Sequence, residues 1–373
     1  MHAPDILVIG GGIAGLSAAA ALSKHARVAV IEAEEQIGFH SSGRSATMLH
    51  YALGDRLVRA LTLASRPFFD APPEEFGAVG HRMPVLIPAR EDERAALDAL
   101  EADISPFAKL ERLDEKGVHE LCPLLKDDAL YGLADRDGIR IDPHALLQGN
   151  LRQLKARGGE LHTGQRIRSI SYSGGAWTVE SEAGGHHSAP ILVNAAGSWA
   201  DQVAALAGVP PLGLRPMRRT IITFDAPPGT ELARLPFTKT IGDELYFAPE
   251  SGRLFASPMD EVPSDPCDAQ PDEYEVALAA FRMEERTIVK VDRIHSRWAG
   301  LRSFTPDRHP AVGFAEGADG FFWLAGQGGF GLQTSPAMAG IASSLIAGDP
   351  WPVSAVSAGD LSPGRFETHS PTR

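Results

Sequence analysis

Residues 5–32 read DILVIGGGIAGLSAAAALSKHARVAVIE. The apolar run at residues 6–9 is typical of a parallel strand that is buried on both faces of a sheet. The alanine-rich residues 13–24 are apolar on most sides, which favours a helix pressed against that sheet. A second apolar run at residues 27–31 predicts the next parallel strand. The stretch therefore predicts a strand–turn–helix–strand unit of an α/β fold.

Glycines and an acid in this unit predict a dinucleotide site. Gly10, Gly12 and Gly15 fit G-x-G-x-x-G, in which they give a tight turn, a close approach of backbone to a pyrophosphate, and close helix–strand packing. Free N–H groups and the helix dipole stabilise phosphates at the helix N-terminus. Glu32 ends the second strand, where a carboxylate accepts hydrogen bonds from a ribose diol. The predicted contacts of this unit are Gly10, Gly12, Ile13, Ala14, Gly15, Glu32 and Ala33.

A glycine-rich turn also occurs in other α/β units, so the pattern alone leaves the ligand open. Here the strand, the glycines, the helix and the terminal acid agree, and together they favour an adenine dinucleotide. The unit stands at the N-terminus with no room for a catalytic domain before it. This placement favours a fixed prosthetic group, with FAD as the first prediction and NAD as the second.

Composition narrows the class of protein. The chain has 373 residues, enough for two domains, and 43% of them are hydrophobic. Its net charge of −13 argues against nucleic acid or an anionic membrane surface as a partner. Residues 1–4 form no apolar leader, and no stretch approaches the roughly 20 apolar residues of a membrane span, so we expect a cytoplasmic protein. Because Cys122 and Cys267 are the two cysteines, we predict neither a disulfide framework nor a metal site.

Residues 38–47, GFHSSGRSAT, are too polar and glycine-punctuated for a strand and predict a loop rich in hydrogen-bond donors. Such a loop suits contacts to a phosphate or to the polar edge of a flavin, and the alternative is an ordinary solvated loop. The predicted cofactor contacts of this loop are Ser41, Ser42, Arg44, Ser45 and Ala46.

The remaining pattern predicts two domains. Helices are expected at residues 55–69, 91–104, 143–156, 272–283 and 336–346. Short strands between residues 160 and 180 suggest a small meander, with His186 and His187 in a turn, and strands from residue 220 to 256 suggest a second sheet. We predict an FAD-binding domain (residues 1–75, 138–210 and 299–360), a substrate domain (76–137 and 211–298) and a flexible tail (361–373).

Several segments together resemble the D-amino-acid oxidase (DAO) group of flavoproteins, and most closely the D-arginine dehydrogenases, up to about residue 344. They are the N-terminal fingerprint, the HSSGRSA loop, ILVNAAGSWAD at residues 191–201, WAGLRSF at 298–304, and the glycine-rich segment at 320–335. The resemblance implies a Rossmann-like FAD domain of the glutathione-reductase type and an α+β substrate domain on a mixed or antiparallel sheet. It adds cofactor contacts at Gly197, Trp199, Gly328, Gly329, Gly331, Gln333 and Thr334.

The same resemblance implies an activity. Arg302, with Arg218 or Arg219 and with Tyr246, is expected to hold the α-carboxylate of an amino acid, while a hydride passes from Cα to the flavin. His50 and Gly329 complete the predicted catalytic set. Loop arginines are usually solvated or form structural ion pairs. For the arginines of PMRR and WAGLRSF, the resemblance to the family implies substrate binding instead. The predicted protein is an FAD-dependent dehydrogenase or oxidase of a D-amino acid, with non-covalent FAD and an electron acceptor that the sequence does not assign.

Other functions stay open at this point. An FAD-dependent 2-hydroxy-acid or secondary-amine dehydrogenase uses a similar site, and an FAD-binding subunit of a larger complex shares the cofactor motif. The chain has no G-x-S-x-G elbow, no H-E-x-x-H and no P-loop, so hydrolase, zinc-enzyme and kinase functions lack a basis.

One departure from the D-arginine dehydrogenases concerns the substrate side chain. The His and the Tyr of that group align with Met48 and Leu53, and residues 80–89 contain no acid. A guanidinium requires a desolvated carboxylate, so we expect an apolar, neutral or acidic side chain instead. The expected pocket residues are Met48, Leu49, Leu53, His81 and Arg82. Asp243 or Glu244, the acids next to Tyr246 in the sequence, would reverse the preference if either reached the pocket.

Overall fold

The computed structural model describes residues 3–369. In chain order, its strands and helices are β1 (Ile6–Ile9), α1 (Ile13–Leu22), β2 (Val28–Ile31), β3 (Met48–Leu49), α2 (Arg56–Asp70), β4 (Gly80–Arg82), β5 (Val85–Ala89), α3 (Arg94–Ile104), β6 (Glu111–Asp114), α4 (Glu115–Leu121), β7 (Tyr131–Asp135), β8 (Ile139–Ile141), α5 (Pro143–Ala156), β9 (Glu160–His162), β10 (Ile167–Ser173), β11 (Ala176–Ser181), β12 (His186–Ala189), β13 (Ile191–Asn194), α6 (Ala200–Leu206), β14 (Arg215–Phe224), β15 (Phe237–Lys239), β16 (Tyr246–Glu250), β17 (Arg253–Ser257), β18 (Val262–Pro263), α7 (Glu273–Arg286), β19 (Ile294–Phe304), β20 (Ala311–Phe314), β21 (Phe321–Ala325), α8 (Gly331–Ala347) and α9 (Ala358–Leu361).

The N-terminal unit belongs to a six-stranded sheet in the order β20-β21-β13-β1-β2-β9. All its pairs are parallel except that of β20 with β21. Helices α1, α5 and α8 cover one face, where Val8, Leu16 and Ile341 share a core. The meander β10-β11-β12 and α6 cover the other face through Trp177 and Val203. Both faces of β1 are therefore buried, as its continuous apolar run predicted.

A larger mixed sheet forms the second part of the fold. It has nine strands. Eight follow the order β18-β14-β17-β16-β15-β5-β7-β6, and the ninth, β19, pairs with β14. The pair β5–β15 is parallel, and the other pairs are antiparallel. Residues of α4 and α7 pack on one face with Leu86 and Phe224. The predicted two-part arrangement, an FAD-type α/β unit and a substrate unit on a mixed sheet, is confirmed.

Sheet membership moves two of the predicted domain boundaries. Strand β19 runs unbroken through residue 299 and pairs with β14 along its whole length, so residues 299–304 belong to the second sheet. A small sheet, β3-β8-β4, joins segments that we had divided between the two domains.

Several local predictions were wrong. Strand β14 begins at Arg215 rather than at the expected residue 220, so Arg215, Arg218 and Arg219 lie within it. His186 and His187 lie on β12 rather than in a turn. Residues 41–44 of the predicted loop form a short 3-10 helix. Helix α8 begins at Gly331, so Pro336 lies inside the helix, where the following N–H of Ala337 donates to Ser65 Oγ at 3.1 Å.

The predicted flexible tail is partly structured. Leu361 is fully buried in the core under the first sheet, and Arg365 Nε donates to Asp307 Oδ2 at 2.7 Å. These contacts tie residues 361–366 to the strand region before β20. The remainder of the predicted tail, residues 370–373, lies outside the described residues.

Across residues 3–369, no helix is both long and apolar enough to cross a membrane.

Candidate active site

A cleft opens at the carboxyl ends of β1, β2 and β13, where ligands bind in sheets of this kind. Its volume is about 300 Å³. Glu32 lines it and accepts hydrogen bonds from the N–H of Gly11 (2.5 Å) and of Glu34 (2.8 Å), so its carboxylate is fixed at the strand end. The predicted residues that line this cleft are Gly10, Gly12, Glu32, Ala33, Ser41, Ser42, Gly197 and Trp199.

Two glycines of the fingerprint are required by the backbone. Gly10 has φ +113°, and a Cβ there would lie 2.4 Å from the carbonyl oxygen of Ala195 in the neighbouring chain segment. A Cβ on Gly15 would lie 1.9 Å from the carbonyl oxygen of Gly10. Any side chain at these positions would push α1 away from the strands. The roles that the pattern predicts for these two glycines, a tight turn and close packing, match this geometry.

The N-termini of two helices meet in a second, adjoining cavity of about 110 Å³. The first residues of α1 and of α8 line it, so two sets of free N–H groups and two positive dipole ends face the same space. Ser42 Oγ accepts from the Ile13 N–H at 3.0 Å, which shows that an acceptor fits at the start of α1. The predicted residues lining this cavity are Gly12, Ile13, Ala14, Ser41, Ser42, Arg44, Ser45, Gly197, Gly328, Gly329 and Gly331. The two cavities together provide the acid, the glycine cradle and the helix N-termini that an adenine dinucleotide requires.

Five predicted cofactor residues lie elsewhere or act differently. Arg44 lines the second cavity, but its guanidinium donates to the carbonyls of Ala269 and Ala299 and pairs with Asp268. It therefore fastens the loop to the second sheet. Gly15 and Thr334 line neither cavity, since Gly15 packs against the strand and the Thr334 hydroxyl donates to the Phe330 carbonyl. Ala46 and Gln333 line a third cavity, described next.

The third cavity, of about 450 Å³, lies between the second sheet and the glycine-rich turn before α8. Strands β14, β15, β16 and β19 form one wall, and residues 45–55 and 329–333 form the others. The Gly328 N–H donates to the Ser303 carbonyl at 3.0 Å, which fixes the turn against β19. As a result Gly329 lies beside Arg302, and a Cβ on Gly329 would be 3.2 Å from Arg302 Nε. We refer to this space as the substrate cavity.

Arg302 lines both the second cofactor cavity and the substrate cavity, so it lies where the two spaces adjoin. Its Nη2 donates to the Tyr246 hydroxyl at 3.5 Å. Burial, with a smaller contribution from the neighbouring Arg219, lowers the pKa of Arg302 to about 10. In the described part of the chain no carboxylate forms an ion pair with this guanidinium. The site therefore favours an anion supplied from outside the chain.

The two adjacent arginines of β14 point to opposite faces of the sheet. Arg219 lines the substrate cavity, where it donates to the Asp260 carbonyl at 2.6 Å and pairs with Glu261 at 3.3 Å. Arg218 pairs instead with Glu275 of α7 at 3.1 Å on the other face. Of the two arginines that the sequence left open, Arg219 therefore lines this cavity and Arg218 does not.

His50 lies behind the cavity wall and not in the lining. Its ring is fully buried against Phe237, and Nε2 has no hydrogen-bond partner among the described residues. Burial, and then the charge of Lys239, lowers the pKa of His50 to about 3. The imidazole is therefore neutral at ordinary pH. A direct catalytic role for His50, as the sequence suggested, does not match this position.

Sequence analysis missed most of the charged residues of the substrate cavity. Each of its acids pairs with a basic side chain: Asp55 pairs with His309, Asp243 with Lys239, Glu261 with Arg219 and Arg308, and Asp307 with Arg365. Arg59 also lines the cavity and pairs with Asp103. Of the two acids that the sequence offered beside Tyr246, Asp243 lines the cavity. Glu244 does not line it and pairs with Arg286. Those that line the cavity come from five separate segments (55–59, 219, 239–243, 261 and 307–308), so no local motif marks them.

The structure brings two of the five expected side-chain pocket residues into this cavity. Met48 and Leu53 line the substrate cavity, and Leu49 lies in the core. His81 lines a neighbouring cavity, and Arg82 pairs with Asp70 near the surface. On the cofactor side, Gln165, Arg166 and Ile167 line the first cleft, although nothing in their sequence marked them.

Comparison with known proteins defines the class. Residues 5–345 match the family described as "DAO: FAD dependent oxidoreductase". "FAD-dependent oxidoreductase domain-containing protein 1" of Bos taurus is 26% identical over 407 residues, covering 92% of this chain and 81% of that protein. "Dimethylglycine dehydrogenase, mitochondrial" of Mus musculus is 25% identical over 366 residues, covering 88% of this chain and 40% of that protein. L-proline dehydrogenase from P. horikoshii has a similar crystal structure, with TM-score 0.85, 21% identity and 98% of each chain covered.

A dinucleotide cleft that adjoins a cavity with a buried guanidinium suits a flavin-dependent oxidoreductase, and the family match assigns the chain to that class. The chain belongs to the DAO family of FAD-dependent oxidoreductases, and its cofactor is FAD. The resemblance to this family that the sequence indicated is confirmed. The closer resemblance to D-arginine dehydrogenases is not confirmed by these relatives, whose names refer to other substrates.

We expect the bound FAD to be non-covalent. Cys122 is buried away from the cleft, where burial raises the pKa of its thiol to about 11, and Cys267 is exposed on a loop. Neither cysteine lines a cofactor cavity, so no thiolate is available for a bond to the flavin. The purified protein should be yellow, and acid precipitation should release all flavin into the supernatant. Flavin that stays with the precipitate would contradict this prediction.

Proposed function

We propose that the protein oxidises the Cα–N bond of an amino acid, with the D-enantiomer as the expected one, to an imino acid. The position of Arg302 supports this proposal most directly. Its buried guanidinium has no carboxylate partner in the described chain and lines both the cofactor cleft and the substrate cavity. A substrate carboxylate bound there would hold the adjacent Cα at the junction of the two cavities. Positioning of this kind is the main contribution a protein makes to flavin chemistry.

The residues around Arg302 suit an α-carboxylate. The guanidinium offers a planar fork of N–H donors, which matches the two oxygens of a carboxylate. The Tyr246 hydroxyl, 3.5 Å from Arg302 Nη2, supplies a further donor. Arg219 adds a second positive charge, and its own contacts with Asp260 and Glu261 keep it in place.

The same charges favour the reactive form of the amine. Arg302, Arg219 and Lys239 line one cavity, and nearby cations lower the pKa of a bound ammonium group. With the nitrogen neutral, the Cα–H hydride leaves with two electrons and the nitrogen lone pair forms the C=N bond. Water then hydrolyses the iminium to a 2-oxo acid and ammonia. FAD, when bound, supplies the two-electron acceptor.

A secondary-amine substrate is the second candidate. Two relatives of this chain carry the names dimethylglycine dehydrogenase and L-proline dehydrogenase, and both named substrates combine a carboxylate with a substituted nitrogen. The clamp at Arg302 serves such a substrate equally well. A 2-hydroxy acid also presents a carboxylate, so 2-hydroxy acids are included in the substrate panel below.

The test is an anaerobic substrate panel with the purified chain alone. D- and L-amino acids, N-methylglycine, proline and 2-hydroxy acids are mixed with the FAD-loaded protein, and loss of the oxidised flavin absorbance is recorded. We expect D-amino acids to reduce the flavin fastest. Reduction by secondary amines or hydroxy acids in preference would shift the assignment to those classes. No reduction by any compound would favour the alternative of an FAD-binding subunit that works within a complex.

We expect the preferred side chain to be apolar, neutral or acidic rather than cationic. Every acid of the substrate cavity already pairs with a basic side chain, so a guanidinium or ammonium side chain would have to compete with an existing partner there. D-methionine, D-leucine and D-glutamate should therefore exceed D-arginine and D-lysine in kcat/KM by about tenfold or more. Steady-state kinetics with one shared acceptor dye measure the ratio. A higher kcat/KM for D-arginine would show that this description of the pocket is wrong while the flavoenzyme assignment stands.

A further inference from the structure

A buried lysine lies in the substrate cavity beside the proposed carboxylate clamp. Lys239 and Tyr246 are directly opposite each other in the antiparallel pair β15–β16, so their side chains share one face of the sheet. Tyr246 in turn contacts Arg302. The Lys239 ammonium is therefore within a side-chain length of the site where the α-carboxylate is expected to bind.

Lys239 has an unusual partner. The Lys239 side chain is 3% exposed and donates a hydrogen bond to the Thr240 carbonyl at 3.3 Å. Its ion-pair partner is Asp243, whose side chain is 65% exposed. Asp243 stands in the turn between β15 and β16 with φ +55°, a strained conformation for a residue other than glycine. The acid can rotate into water at little cost, whereas the lysine cannot leave the wall.

The surroundings of Lys239 give it no second carboxylate. The His50 imidazole is neutral, and the charge of Lys239 contributes to keeping it so. The other acids of the cavity pair with other basic side chains. A buried ammonium with one replaceable partner is a ready site for an incoming carboxylate.

We propose that the cavity selects amino acids carrying a second carboxylate, which replaces Asp243 as the partner of the Lys239 ammonium. This inference rests on the proposed function, because Arg302 must hold the α-carboxylate at the same time. The two cations then fix both ends of a dicarboxylic amino acid, and the turn that carries Asp243 opens as the substrate enters.

Binding and turnover test the proposal separately. Binding of glutarate and of its half-amide, glutaramate, is measured through changes in the flavin spectrum of the FAD-loaded protein, and kcat/KM is measured for D-glutamate and D-glutamine. Each pair differs in one charge at nearly constant shape. We expect glutarate and glutamate to be preferred by about tenfold or more, with the kinetic difference mainly in KM. Equal values within each pair would overturn the proposal.

Three variants locate the effect. Lys239→Met should reduce both ratios to about one, because an apolar side chain of similar length fills the wall without a charge. Asp243→Asn should increase the preference for the acid, since it weakens the competing partner; a purely structural Lys239–Asp243 pair would give no increase. Lys290→Met is the matched control, because that lysine is exposed on the surface and pairs with Glu284 outside the cavity. It should leave both ratios unchanged.

The failure of this inference differs from the failure of the proposed function. If D-leucine reduces the flavin and D-glutamate is no better than D-glutamine, the dicarboxylate preference is wrong and amino-acid oxidation stands. If no amino acid reduces the flavin but glutarate still binds better than glutaramate through Lys239, the proposed reaction is wrong and recognition of a dicarboxylate stands.

Discussion

Arg302→Ala is expected to lower kcat/KM on the best amino-acid substrate by a factor of about thirty to several thousand. The reason is that truncating one partner of a buried, hydrogen-bonded charge pair costs about 2–5 kcal/mol, and each 1.4 kcal/mol is about tenfold. FAD should stay bound, because Arg302 is one residue of the second cavity, whereas the fingerprint glycines and Glu32 lie at the ends of β1 and β2. Anaerobic flavin reduction and steady-state kinetics measure the two quantities on the same preparation.

Two further variants make this test specific. Arg302→Lys keeps the positive charge but loses the planar fork, so it should recover part of the activity. Arg297→Ala removes an arginine from the same strand that is solvent-exposed and pairs with Glu273, and it should leave kcat/KM unchanged. An Arg302→Ala variant with wild-type kcat/KM would remove this residue from the proposed clamp.

The part of the site that sequence could predict is local in the chain. Residues 5–32 contain the strand, the glycines, the helix and the acid, and the structure confirms β1, α1 and β2 at the expected places. Such a unit depends on contacts between neighbours in sequence, like that of Gly15 with Gly10. Its spacing is therefore visible without knowledge of the rest of the fold.

The choice between Arg218 and Arg219 could not be made in this way. Neighbouring residues of a strand face opposite sides of a sheet, and a shift of one residue in register exchanges the two faces. The register of β14 against β19, with Arg219 opposite Gly300, decides which arginine enters the cavity. That register depends on the packing of the whole sheet.

The charges of the substrate cavity were invisible for a related reason. Lys239, Glu261 and Asp307 are far apart in sequence and meet when the second sheet closes against the turn before α8. Each one alone resembles an ordinary surface charge, for which solvation is the usual expectation. The tail was misjudged similarly, because its Pro- and Ser-rich composition does not reveal that Arg365 reaches Asp307.

Gly10→Ala is expected to abolish FAD retention and to destabilise the protein itself. The new Cβ would lie 2.4 Å from the Ala195 carbonyl oxygen at a backbone φ of +113°, so steric overlap and strain act together. We expect a loss of about 2–4 kcal/mol in stability, since strained backbone costs about 1–3 kcal/mol and the overlap adds to it. The flavin-to-protein ratio after purification and the Tm of the apoprotein report the two effects.

Gly12→Ala separates cofactor binding from folding. A Cβ on Gly12 would meet Ser42 Oγ at 3.4 Å, an ordinary contact distance, so the Tm of the apoprotein should stay at the wild-type value. The methyl group nevertheless occupies the space through which a pyrophosphate approaches the backbone, and FAD affinity should fall by about tenfold or more. Gly359→Ala, in the distant helix α9 and facing Ser357 Oγ at 3.6 Å, is the matched control and should change neither quantity. If Gly10→Ala retains FAD with an unchanged Tm, or if Gly12→Ala binds FAD as tightly as the wild type, the cleft above α1 is not the cradle of the pyrophosphate.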